Sequence, residues 1–172
     1  KKILITHTYD NADFHHIFGV TDYKRSNPAK VISCSICDAI AIGPLLKVIE
    51  TNFMISKGNI VTLHPWLSYQ NLNDGISRSF AYPGEIVENF ALGRASTEAL
   101  IPKNTSCIKA LKHFFPKIEK KITSMSVRVP TPVVSSAIIN LELEKKTNLL
   151  EISKIFKIYK KNQKYKIFEI NN

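Results

Sequence analysis

Cysteine, glycine and acidic side chains are all scarce in this chain, and each shortage removes a class of protein. Three cysteines in 172 residues give no disulfide framework, so the sequence reads as a protein of a reducing compartment, expected to be soluble and cytoplasmic. Six glycines include no Gly-x-Gly-x-x-Gly turn, the fingerprint by which a strand-to-helix junction cradles a dinucleotide pyrophosphate. The longest uncharged apolar run, Ala39 to Leu46, falls far below the roughly 20 residues that span a bilayer, and no charged-then-apolar leader precedes it. No membrane partner is expected. The chain opens on Lys1, in mid-pattern and without a methionine, which leads us to expect a segment ahead of it.

Fourteen acidic residues stand against 24 lysines and arginines, for a net charge of +10 and a pI near 9.5. Such a balance favours anionic partners, among them phosphorylated metabolites, nucleotides and acidic surfaces. Much of the excess gathers late in the chain, at Lys154, Lys157, Lys160, Lys161, Lys164 and Lys166. There it reads as the solvated face of an amphipathic helix and its tail, and without a recognised module signature a nucleic-acid partner is not expected. A hydrophobic content of 44% over this length suffices for one domain with its own core.

The pattern begins with short strands at Lys2 to Thr6, expected to be buried, at His16 to Val20, and at Lys30 to Ser33. A helix is predicted from Cys37 to Glu50, kinked or irregular at Pro44 because proline lacks the N–H donor and crowds the preceding turn. Asn59 to His64 reads as a strand ended by Pro65. Pro65 to Leu92 is long, aromatic and without period, containing Trp66, Tyr69, Phe80, Tyr82 and Phe90, and is expected at a subunit or cofactor interface. A helix capped by Thr105 or Ser106 follows, with Ile108, Leu111 and Phe115 as its stripe and Pro116 as its end. Ile122 to Val129 alternates, Met125, Val127 and Val129 opposing Ser124, Ser126 and Arg128. A second alternating strand carries Ile139, Leu141 and Leu143, and the two are expected to pair. The last helix starts near Asn148 with Glu151 completing a capping box.

Chemistry concentrates where the β-branched run ending at Ser33 delivers Cys37 to the start of the predicted helix. Unpaired N–H groups and the positive end of the macrodipole favour thiolate there, so Cys37 is a candidate nucleophile, with a small buried hydrophobe as the bland alternative. Cys34 and Cys37 also have the spacing of a redox pair or half a zinc site. Cys107 is the only other cysteine, and the five histidines do not repeat at ligand spacing, so no metal is expected. Asp38 beside the thiol disfavours a thiolate unless a cation compensates. His64, at a strand end, is a candidate base or an ordinary packed imidazole.

Taken together, the cysteine of VISCSIC at a strand-to-helix turn, LHP at the next strand's end, GRxxxxxLIPxxTS and SVRVPTPVVS resemble the glyceraldehyde-3-phosphate dehydrogenase family, in register from KILIT to LELEKK. The resemblance covers most of this chain but only the middle of a full family member. It implies an α+β fold, a largely antiparallel sheet with helices on one face, preceded by the last strands of a parallel dinucleotide-binding sheet. Residues 1–36 would end the dinucleotide-binding domain and residues 37–172 would form the catalytic domain. It further implies Cys37 as nucleophile, His64 as its partner, and Arg128, Thr105 and Arg94 as phosphate-binding residues. NAD or NADP would be the cofactor, a phosphorylated small molecule the substrate, and a homotetramer or homodimer the assembly. Ile36 and Asp38 stand where the family places small hydroxyl residues, Leu67 where it places threonine, and Ser106 where it places glycine. These departures imply a divergent member, acting on another phosphorylated or acidic sugar aldehyde or releasing its product by hydrolysis. The alternative is a non-catalytic binding or structural protein on the same fold.

Overall fold

The computed structural model describes every residue except 25, 69, 79–81, 83, 87–88, 164–165 and 172. Tyr69 and Phe80 of the aromatic loop and Lys164 of the basic tail therefore lie outside the described residues. Residues group into two units, one of Lys1–Gly58, Ser106–Ile122 and Leu141–Asn172, the other of Asn59–Thr105 and Thr123–Asn140.

The first unit is centred on helix α1, Cys37–Phe53. Its side chains Ala39, Ile42, Leu46, Val48, Ile49 and Phe53 are buried, and burying a large aliphatic or aromatic side chain contributes roughly 1.5–3 kcal/mol relative to exposure. The helix runs past Glu50 to Phe53 and continues through Pro44, whose ring is buried. Helix α3, Cys107–Leu111, packs on it through Cys107, Ala110 and Leu111. That helix is shorter than the stripe Ile108, Leu111, Phe115 implies. Ser106 occupies its N-cap without a side-chain cap bond, so the Ser106 hydroxyl does not perform that task, and Phe115 lies beyond its end.

Strands β1 (Ile3–Ile5), β2 (Phe14–His15) and β3 (Val31–Ser33) form a parallel sheet of order β1-β3-β2. Two expectations fail in it. The first strand is not buried, for Ile3 and Leu4 are 60% and 66% exposed. His16 to Val20 is not a strand. The amides of Val20 and Thr21 both donate to the Ile17 carbonyl, the Thr21 hydroxyl contacts the same residue, and Gly19 has φ +79°. That last backbone state suits glycine and ends extended structure.

The second sheet has four strands, β4 (Ile55–His64), β5 (Ile101–Lys103), β6 (Ile122–Arg128) and β7 (Ser136–Leu143), in the order β5-β6-β4-β7. With a separate parallel sheet and, among the described residues, four α-helices, the fold is α+β. β4 begins four residues earlier than its apolar run suggests, because Met54, at φ +57°, turns the chain straight from α1 into the strand. β6 and β7 are not neighbours, since β4 lies between them. On β6 the polar side is the covered one: Ser126 is 6% exposed and Met125 42%. β5 pairs antiparallel with β6, Ile101 opposite Arg128, and as an edge strand it tolerates Pro102.

In the aromatic loop, Arg78 and Ile86 form an isolated antiparallel bridge, and the short helix α2, Phe90–Gly93, takes over its last residues. Helix α4, Leu149–Asn162, is capped by Asn148, whose side chain accepts the Glu151 amide. The Glu151 carboxylate accepts the Thr147 hydroxyl at 2.7 Å. Ile152, Ile155, Phe156 and Tyr159 are its half-buried stripe. Among the described residues, no helix is long and apolar enough to cross a membrane.

Candidate active site

Cys37 is presented by a strained turn. Between β3 and α1, Ser35 takes φ +66° and is 2% exposed, a left-handed state that costs a non-glycine residue of order 1–3 kcal/mol. Ser33 holds that turn. Its hydroxyl donates to the His7 carbonyl at 2.7 Å and accepts the amides of Tyr9 and Ser35, each at 3.3 Å. The chain then enters α1 through Ile36, extended and without a side-chain cap bond. Cys37 becomes the first helical residue, exposed, beside the amide end of a long helix. Its thiol lies 3.8 Å from Asp38 Oδ1, while the aspartate itself is buried.

None of the three cysteines is in a disulfide. Cys34 is half-buried and lines a cavity of about 760 Å³ in the first unit. Cys107 is fully buried, and burial, with smaller contributions from the charges of Asp38 and Cys37, pushes its thiol up to about 12. Exposure therefore separates Cys37 from the other two.

The remaining four sequence candidates belong to the second unit. His64 ends β4, half-buried, with Nδ1 3.3 Å from Ser135 Oγ. Three consecutive residues are held at this strand end: the His64 carbonyl accepts the Val129 amide at 2.9 Å, the Pro65 carbonyl accepts Arg128 Nη1 at 2.8 Å, and the Trp66 amide donates to the Thr131 carbonyl at 3.3 Å. The structure thus brings His64 and Arg128 to one strand end. Between Thr131 and Ser135 the chain passes through Val134 at φ +65°, a genuine outlier for a β-branched residue.

Thr105 is half-buried just past β5. Arg94 is engaged elsewhere: Nη1 pairs with Asp74 Oδ2 at 2.8 Å, and the guanidinium sits 4.5 Å over the Phe90 ring. The amide of Ala95 and the Arg94 guanidinium together hold the Asp74 carboxyl below its usual range. Sequence reasoning passed over Ser33, Ser35, Ser135 and Asp74. Only Asp74 carried a local signal, as the first residue of an Asp-Gly turn dipeptide.

Residues 36–172 match the family model for the glyceraldehyde 3-phosphate dehydrogenase C-terminal domain. The chain belongs to the glyceraldehyde-3-phosphate dehydrogenase family. It is 31% identical over 157 residues to glyceraldehyde-3-phosphate dehydrogenase 2 of Saccharomyces cerevisiae, covering 91% of this chain and 44% of the yeast protein. The Danio rerio glyceraldehyde-3-phosphate dehydrogenase is 32% identical over the same shares. That of Mycobacterium bovis is 28% identical, over 91% of this chain and 43% of its own. This member of the family thus spans less than half the length of the curated relatives it matches. Its Cys37 turn carries the apolar Ile36 and the acidic Asp38 on the two sides of the thiol.

Proposed function

We propose that this chain carries the thiol chemistry of an NAD(P)-dependent oxidation of a phosphorylated or acidic sugar aldehyde, with residues 37–172 as catalytic domain and residues 1–36 as the end of a dinucleotide-binding domain. The observation that carries the reading is Cys37, exposed as the first residue of α1. Family membership supports it, as do the family-like positions of Cys37 and His64.

In this reading the Cys37 thiolate adds to the aldehyde carbon, and the carbonyl electron pair moves to oxygen, which is protonated to give a thiohemiacetal. His64, paired as imidazolium with the thiolate beforehand, gives that oxygen its proton and, now neutral, takes it back as the carbon is oxidised to the thioester. Phosphate or water then displaces the acyl group and returns the thiolate. Arg128 and Thr105 bind the substrate phosphate, with Arg94 nearby. One Nη1 hydrogen of Arg128 is committed to Pro65, leaving donors of its planar fork for phosphate oxygens. A nicotinamide supplies the hydride acceptor in such chemistry. The described residues form no glycine-rich strand-to-helix turn that would cradle its pyrophosphate, so we assign no residue of this chain to holding it. The loop after His64, with Leu72, Ile76, Tyr82, Ile86 and Phe90 exposed, supports a homo-oligomer interface.

One observation favours a second reading, a non-catalytic binding or structural protein: the Asp38 carboxylate lies 3.8 Å from Sγ, where it opposes both thiolate and phosphate. Iodoacetamide labelling of Cys37 against pH separates the two. The enzyme reading expects alkylation to persist well below pH 8.5, near which an ordinary thiol titrates, and to weaken in His64→Ala. Labelling that follows an ordinary thiol and ignores the histidine substitution establishes the scaffold. With NAD or NADP and a panel of sugar phosphates, a Cys37-dependent nicotinamide burst then identifies the substrate.

A further inference from the structure

We infer that Ser135 is the positioning residue of His64, fixing which ring nitrogen exchanges the proton; the inference deepens the catalytic reading above and rests on it. The hydroxyl stands 3.3 Å from Nδ1, although 71 residues separate the two in the chain. A hydroxyl can donate to a bare Nδ1 or accept from a protonated one. Only the second arrangement leaves Nε2 without its hydrogen, the state a base needs, so Nδ1–H donates to Ser135 Oγ.

Two further features of the second unit support a built contact. The backbone on both sides is pinned: the Val129 amide holds the His64 carbonyl, Arg128 holds that of Pro65, and the Thr131 carbonyl accepts the Trp66 amide. The Thr131 hydroxyl donates to the Val133 carbonyl at 3.2 Å, tightening the loop immediately before the outlier. Val134 then takes φ +65° with its side chain 74% exposed. A β-branched residue held left-handed without burying its side chain gains nothing locally from that conformation. What the turn achieves is to bring the next residue, Ser135, to the imidazole. Strain of this kind persists where the surroundings over-determine it.

The test uses protein labelled with nitrogen-15 in histidine, the His64 ring signals being those lost in His64→Ala. Wild type is expected in the Nδ1–H form once the ring is neutral, the ion-pair proton being the one on Nε2. Ser135→Ala should move the ring toward Nε2–H and slow Cys37 alkylation at pH 7 by about tenfold, the lower end of what losing a partner that orients a histidine does. Ser135→Thr, which keeps the hydroxyl, should restore both. Thermal unfolding of each variant separates a lost fold from a lost contact. An Nε2–H ring in wild type, or the same tautomer in wild type and Ser135→Ala, overturns the inference. If His64→Ala slows alkylation while Ser135→Ala changes neither ring nor rate, the catalytic reading stands and the positioning role falls. A ring that responds to Ser135→Ala beside a thiol indifferent to both substitutions upholds the contact and removes the catalytic reading.

Discussion

Arg128 donates through Nη1 to the carbonyl oxygen of Pro65, 2.8 Å away, so the guanidinium proposed for phosphate also fastens the backbone that follows His64. The two tasks can be separated by substitution. Arg128→Ala should lower unfolding free energy by about 1.5–3 kcal/mol, the range for a hydrogen bond to a charged group. Arg128→Lys, with a point charge and no fork, should recover part of that stability in urea denaturation while leaving phosphate affinity weak. Equal stability of Arg128→Ala and wild type would remove the structural task.

The three thiols should label in a fixed order. Cys37, exposed, reacts first; Cys34, half-buried, follows; Cys107, buried with its thiol pushed up to about 12, stays protected at pH 8 until the protein unfolds. Mass spectrometry of peptides after timed alkylation reads the order directly. Early modification of Cys107 would contradict the packing of α3 on α1.

Stability should fall as pH drops below about 6.5. His15 stacks on His113 with ring centroids 3.7 Å apart, and burial, then the charge of His113, holds its pKa below 6.5. His16, with Nδ1 2.9 Å from the Thr21 hydroxyl, is lowered by burial. A depressed histidine is neutral in the fold while the unfolded chain takes up a proton at higher pH, so the stabilisation is complete above the unfolded value and is lost through the folded one. Asp10, which contacts His113 and Lys109 from across the cluster, is lowered from 3.8 and adds a second loss only at more acidic pH. Urea midpoints at pH 7.5 and pH 5 should differ less in a His15→Gln, His16→Gln double variant than in wild type.

Leu46→Ala should cost about 2–5 kcal/mol, since the side chain is fully buried in α1 and its removal leaves a cavity. Asn148→Ala, removing the α4 cap, should cost about 1 kcal/mol. Thermal or urea unfolding measures both, and the order of the two losses checks that α1, not α4, centres the first unit's core.

Much of this structure is visible in local sequence. The junction of β3 and α1, the start of α4 at Asn148 and the alternation of Ile139, Leu141 and Leu143 depend on neighbours a few residues apart. Other features depend on distant partners and leave no such trace. The placement of β4 between β6 and β7 is a matter of topology, and the Thr21 hydroxyl that ends β2's continuation competes for backbone groups without altering hydrophobic period. β5 is three residues with a proline, too short to show a period. At the candidate site the thiol and imidazole carry recognisable patterns, whereas Ser135 becomes meaningful only once the fold brings it to His64.

The outer side of β1 bears on the sheet to which the strand belongs. In the order β1-β3-β2, β1 pairs with β3 alone among the described residues, and it displays Ile3 and Leu4 to solvent. An edge strand with branched apolar side chains on show is a template for strand addition. If residues 1–36 end a dinucleotide-binding domain, as proposed, a strand of that domain is the partner such an edge would accept, and a lysine in place of Leu4 would disturb the joining of that sheet.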